Sequence, residues 1–238
     1  MRPIEKSRHP RDHQQQILTF PTYQHARGPL LETIGSYCSY CERPLSNPAV
    51  EHKMCRQHHP HFELKWNNFL LSCTNCNSTK AHHNHLVLLD CIWPDRDNTY
   101  LAFVYTAGGN IEVNSNLPTL IQERAQRTLD MTGIHRKPSL DIAVNPTFPD
   151  QRWKKRREAW NEATDARQDL QEDLGTPNEA KMKKHIINQA KATGYWSIWM
   201  TVFHDDPDMK KRLIDAFTGT SSTCFDATQQ PVPRRRLI

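Results

Sequence analysis

The stretch "NNFLLSCTNCNSTK", residues 67–80, puts an apolar run, a Cys-x2-Cys pair and a polar segment closed by a lysine within fourteen positions. The run around Phe69, Leu70 and Leu71 is strand-like, with Asn68 at its mouth. The segment opening on Asn77 reads as the start of a helix, with Lys80 one turn further on. A strand delivering two cysteines straight into a helix makes the pair a zinc-knuckle candidate. A knuckle alone, however, has no use for Asn68 or Asn77.

The partner pair lies upstream. Cys38-x2-Cys41 and Cys73-x2-Cys76 are separated by 31 residues. Two such pairs supply four thiolates to one tetrahedral zinc and close it to water, which is a structural staple rather than a reaction centre. Paired redox thiols are the alternative. Cys55, Cys91 and Cys224 have no matching partners and read as packing residues.

Between the pairs, "AVEHKM" sets Glu51 and His52 side by side on a short β-like segment, where neighbours face opposite ways and can serve separate tasks. Histidine is the side chain that titrates near neutral pH and suits a general base. A carboxylate and an amide oxygen suit a hard divalent cation such as Mg2+, so Glu51 and Asn77 are its candidate ligands. His58, His59 and His61, with His82, His83 and His85, read first as solvated loop histidines, and extra metal or phosphate contact is the less favoured reading.

His52, Asn68 and Asn77, interleaved with the two cysteine pairs, resemble the HNH endonuclease signature in its zinc-containing form. The resemblance implies a ββα-metal fold in which His52 activates the attacking water, Asn68 holds the loop that aims it, and Asn77 faces the catalytic metal. In that family the third position is often histidine, and here it is asparagine. "MRPIEK" at residues 1–6, "IGSYCSYCE" at 34–42 and "SSTCFD" at 221–226 are similar to the PtuB nucleases of Septu-type and retron-associated anti-phage systems. That resemblance implies a PtuA-like ATPase as partner, with a retron reverse transcriptase and its RNA–DNA product in the retron forms. It leaves phage DNA and host tRNA both open as substrates.

The rest of the chain bounds these expectations. Its 238 residues are 37% hydrophobic and 24% charged, enough for one large domain or two small ones, and no window suits a membrane helix. The N-terminus lacks an apolar signal region, so the chain reads as cytoplasmic and its cysteines as ligands or free thiols rather than disulfides. A formal net charge of +5 permits a polyanionic partner without demanding one.

The fold class expected is α+β. Residues 1–30 read as an irregular N-terminal arm broken by prolines, with a short helix possible around "HQQQILTF". Residues 31–137 read as the HNH domain, with its core at 38–90, a hairpin at Gly108-Gly109-Asn110 and a helix between Pro118 and Gly133. Residues 138–238 read as a helical region with a flexible tail. Within it, "GYWSIWMTVF" offers either a core or an ATPase-facing apolar surface. "RWKKRREAW" offers Lys154, Lys155, Arg156 and Arg157 (with Arg152) as a phosphate track, alongside Lys80. Two other functions compete with the nuclease: a zinc-stabilised nucleic-acid-binding module without catalysis, and a stand-alone HNH restriction or homing enzyme.

Overall fold

Just after Pro21 a 3-10 turn at Tyr23–Ala26 leads directly into the first α-helix, Arg27–Ile34 (α1). The computed structural model describes residues 1–6, 9–83, 85–137 and 150–234. After α1 and the first cysteine knuckle come β1 (Ala49–His52) and β2 (Phe69–Ser72), then α2 (Thr74–Lys80). The two strands pair antiparallel in the register Val50↔Leu71, Glu51↔Leu70 and His52↔Phe69. All four β2 residues are buried, as an apolar run between two layers demands. A helical turn at Thr99–Ala102 (α3) leads into the hairpin β3 (Phe103–Tyr105) and β4 (Ile111–Val113). Helix α4 (Thr119–Thr132) begins after Pro118 and ends on Gly133 in the left-handed conformation, φ +63°.

Four helices complete the chain: α5 (Arg152–Asp173), α6 (Glu179–Thr193), α7 (Trp196–Val202) and α8 (Pro207–Ala216). Helix α5 buries Arg152, Arg156, Ala159, Ala163, Ala166 and Leu170, a stripe with spacings of four and three. Its alanines let α7 approach closely. Helix α8 opens with Pro207, and the Asp206 side chain accepts from Met209 N at 2.9 Å. The molecule is α+β, with eight α-helices and two small antiparallel sheets among the described residues. Among them, no helix is long and apolar enough to cross a membrane.

Two apolar clusters meet at Tyr100 and Trp160, one around the knuckles and strands and one around α5–α8. The aromatic stretch belongs to the second. Trp196, Trp199, Met200 and Phe203 are each no more than 1% exposed, so α7 is core and not a docking face. Six of the seven residues of α7 are buried, and only Thr201 is half-exposed, so the helix has no solvated apolar side to present.

Both termini depart from expectation. The segment from Met1 to Lys6 is irregular but not an arm: Met1 and Ile4 are buried, and the Arg2 guanidinium donates to the carbonyls of Ile34 (2.6 Å), Phe217 (3.1 Å) and Thr218 (2.7 Å). The "HQQQILTF" segment forms no helix; Arg11 bridges Ile17 across a turn. The tail through Arg234 is packed rather than flexible, because the Asn98 amide donates to the carbonyls of Cys224 (2.8 Å) and Val232 (2.7 Å). The expected domain boundary at 138–149 and the last four residues lie outside the described residues. So does the side chain of His82.

Candidate metal centre and adjoining cleft

Each knuckle presents its sulfurs through a tight turn. In the first, Glu42 N donates to Cys38 O (2.9 Å) and Cys38 N to Arg43 O (3.0 Å), which folds the chain back around Cys38 and Cys41. Glu42 itself takes the left-handed conformation, φ +64°, normally a glycine role. It is held there by its own side chain, which accepts from Ser197 Oγ (2.6 Å) and Ser197 N (3.1 Å). In the second, Cys73 stands at the N-cap of α2 with extended backbone, and Cys76 sits in the first turn.

The four cysteines are buried, and their sulfurs lie within 4.8 Å of one another. Cys41 and Cys73 sulfurs are 3.7 Å apart, too far for a disulfide and close to the ~3.8 Å edge of a tetrahedron with metal–sulfur bonds of ~2.3 Å. All four are free thiols. Bonds from Cys38, Cys41 and Cys76 favour the Cys73 thiolate and push its pKa far down, while burial pushes Cys76 up. In addition, Arg152 Nη1 donates to Cys76 Sγ at 3.1 Å, a bond that favours thiolate. The cluster could hold a metal ion such as zinc.

Beside this centre is an open cleft of about 270 Å3, lined by Glu51, His52, Asn77 and Lys80 together with Tyr23 and Arg56. The strands supply Glu51 and His52, and α2 supplies Asn77 and Lys80. His52 is half-buried, with its ring edge-on to Tyr23 (4.9 Å) and Phe69 (5.2 Å). Its Nε2 bonds to Glu63 O at 2.9 Å. A carbonyl only accepts, so Nε2 carries the proton and Nδ1 keeps the lone pair in the neutral ring. Burial lowers the His52 pKa, which outweighs the opposing pull of the Glu63 carbonyl and of Glu51. The ring is therefore neutral at pH 7 and able to accept a proton.

Asn68 uses every group of its buried amide. Oδ1 accepts from Met54 N (2.7 Å), and Nδ2 donates to Met54 O (3.0 Å) and Phe62 O (3.1 Å). It fastens the two ends of the β1–β2 connection together. Asn77 is exposed, in the middle of α2 rather than at its start, because the helix begins three residues earlier than the sequence suggested.

Lys80 and Glu51 are not solvated. Lys80 Nζ lies 2.8 Å from Glu51 Oε1 and donates to His52 O at 2.7 Å, while Glu51 Oε2 accepts from Tyr40 Oη at 2.5 Å. Lys80 thus serves Glu51 in this structure rather than standing free for phosphate. The oxygen donors, a carboxylate and an exposed amide, suit a hard divalent cation in kind.

The basic track on α5 is only partly as expected. Lys154, Lys155 and Arg157 are exposed, whereas Arg156 is 1% exposed and donates from Nε to Gly109 O and from Nη2 to Ile134 O, both at 2.8 Å. It is turned away from any phosphate. Arg56 is the cation that sequence reasoning missed: it lies at the cleft over the Tyr23 ring (5.2 Å), half its side chain in solvent. Glu63 was also missed: its carbonyl, which any residue type would supply, meets His52, and its carboxylate pairs with Arg56 at 3.3 Å. The histidines at 58, 59, 61, 83 and 85 do not join the four-sulfur cluster, and no other group of three or more His, Cys, Asp and Glu close enough to hold a metal forms among the described residues.

Residues 1–6, 34–42 and 221–226, far apart in the chain, meet behind the first knuckle. Arg2 reaches Ile34, Ser221 N donates to Pro3 O (2.9 Å), and Ile4 bridges Thr220. No family model matches the chain, and no curated protein matches it.

Proposed function

We propose that this chain is a metal-dependent endonuclease of HNH type, hydrolysing phosphodiester bonds in DNA or RNA. The observation that carries the reading is the convergence of Glu51, His52, Asn77 and Lys80 on one cleft. There His52 is anchored through Nε2, so that Nδ1 is its basic atom. Zinc in the four-cysteine cluster is the staple that joins the first knuckle to α2.

His52 takes the proton from the attacking water, and its lowered pKa keeps it competent at neutral pH. Asn68 keeps the β1–β2 connection in the shape that orients His52. Glu51 and Asn77 would hold a divalent cation such as Mg2+, which when bound stabilises charge on the phosphate and the leaving oxygen. Arg56 supplies positive charge at the rim for the phosphate, and Lys154, Lys155 and Arg157 extend it along α5.

The likeness of residues 1–6, 34–42 and 221–226 to PtuB nucleases supports a role as the effector of an anti-phage defence complex with a PtuA-like ATPase. Phage DNA and host tRNA are its candidate targets. α7 is not offered as the ATPase-facing surface, since its aromatic side chains are interior.

The test incubates plasmid DNA or total tRNA with the chain, Mg2+ or Mn2+, and the ATPase. His52→Ala is expected to reduce cleavage by about 10²- to 10⁴-fold while zinc content holds; cleavage at the native rate removes His52 as the base. Binding without cleavage by the native chain under every metal establishes the non-catalytic binding module instead. Sequence-specific cleavage without the ATPase establishes the stand-alone enzyme.

A further inference from the structure

We infer that Arg152 and Arg156, one turn apart at the start of α5, are the counter-ions of a metal tetrathiolate, so that metal loading and docking of α5 are one equilibrium. A divalent ion held by four thiolates keeps two net negative charges. Buried charge of that size is costly unless it is paired nearby. Cys38, Cys41, Cys73 and Cys76 are each no more than 6% exposed, so water does not do the pairing.

The arginines do. Arg152 is 2% exposed and donates directly to Cys76 Sγ; its other donors are taken by Thr132 O and Gly133 O, both at 2.9 Å, and by Asp150. Arg156 is as deeply buried, and its Nη1 has no hydrogen-bond partner. Burial brings its pKa down to about 10, and the largest opposing influence is Cys41. Half-buried Arg43 is also stabilised in its charged form by Cys41 and Cys73. Three arginines less the one aspartate leave two net positive charges, which match the loaded centre.

Without metal the match fails. The four sulfurs are then no longer held as one set against Arg152, which keeps Asp150 as its carboxylate partner, while Arg156 stays buried with its Nη1 unpaired. Arg152 already acts against the charge on Arg156. The alanine stripe that follows them on α5 packs on α7, so loosening the first two turns disturbs the second apolar cluster as well. The metal therefore holds the helical half to the knuckles, and not only one knuckle to the other.

Hydrogen exchange of the full chain, zinc-loaded and then stripped by a zinc-selective chelator, tests this without any variant. Loss of protection across residues 152–163 together with the knuckles is expected; unchanged protection of α5 overturns the inference. In parallel, Arg152→Met is expected to hand zinc to a chromophoric chelator about 10- to 100-fold faster, the usual cost of losing a partner to a metal ligand. Arg152→Lys, which keeps charge but not the fork, should fall between the two, and exposed Lys154→Met should match the native rate. Native release from Arg152→Met also overturns it. Should that variant not fold, the exchange comparison on the native chain decides alone. Neither readout depends on cleavage.

Discussion

Asn68 and His52 hold adjacent carbonyls: Asn68 Nδ2 donates to Phe62 O at 3.1 Å, and His52 Nε2 donates to Glu63 O at 2.9 Å. The two constraints therefore fall on successive peptide units, so the Asn68 side chain fixes the carbonyl next to the one that sets the tautomer of His52. Asn68→Ala deletes three hydrogen bonds, two of them buried, and should cost about 2–3 kcal/mol of stability. It should also lower the cleavage rate by about 100-fold through misplacement of the base, with metal content unchanged. Denaturant unfolding, metal analysis and single-turnover cleavage read the three outcomes. A native cleavage rate would separate Asn68 from the site.

Cys73 belongs to both the strand–helix joint and the sulfur cluster. Cys73→Ser should reduce bound zinc below one per chain and lower solubility, because an open four-ligand site no longer stabilises the fold. Cys55, half-buried and outside the cluster, is the control, and its serine variant should keep full metal content. Elemental analysis of the two purified variants checks this; a stable, zinc-loaded Cys73→Ser would remove the metal centre from the fold.

What the sequence made legible was local. The hairpin at Gly108–Asn110 and the limits of α4 at Pro118 and Gly133 each carry their own punctuation, and α5–α8 fall in the stretch read as helical, although the break between α6 and α7 at Gly194 was not read. The cysteine spacing and the order of Glu51, His52, Asn68 and Asn77 likewise mark residues that the fold does bring near one another. What stayed hidden depends on partners far along the chain. Nothing near Arg2 announces that it ends at Phe217 O, and Arg156 looks like any other member of a basic run until Gly109 O and Ile134 O claim it. The same holds for Trp196 and Trp199, whose side chains can form a core or a surface patch equally well on paper.

Asp95 is buried between two lysines, with Lys53 Nζ at 2.6 Å and Lys6 Nζ at 3.3 Å. Burial alone would raise its pKa, but Lys53 and then Lys6 outweigh that and hold it below the ordinary carboxylate value. Because the folded value is the lower one, this stabilisation is complete above about pH 4 and is lost as pH falls further, through the folded value. Asp95→Asn should cost about 3–5 kcal/mol at pH 7 by leaving the lysines uncompensated. It should also flatten the acid limb of stability against pH. Thermal unfolding between pH 2.5 and 7 measures both, and an unchanged acid limb would show that other carboxylates set it.

Lys80 occupies the position at Glu51 that a cation would otherwise fill, since its ammonium lies 2.8 Å from a carboxylate whose side chain is 1% exposed. Removing it by Lys80→Met leaves Glu51 with only the Tyr40 hydroxyl. Without divalent ions that variant should lose about 3–5 kcal/mol, the usual cost of orphaning a buried charge. A bound divalent cation would then restore what the lysine supplied, so Mg2+ or Mn2+ should raise the melting temperature of Lys80→Met more than that of the native chain. Adding Asn77→Ala should blunt this rescue, because the amide oxygen is the second proposed ligand. The comparison is a set of melting curves against metal concentration and needs no substrate. Equal responses of the native chain and Lys80→Met would mean that Glu51 is a structural partner of Lys80 and Tyr40, and that the catalytic cation, if the cleft uses one, is held elsewhere.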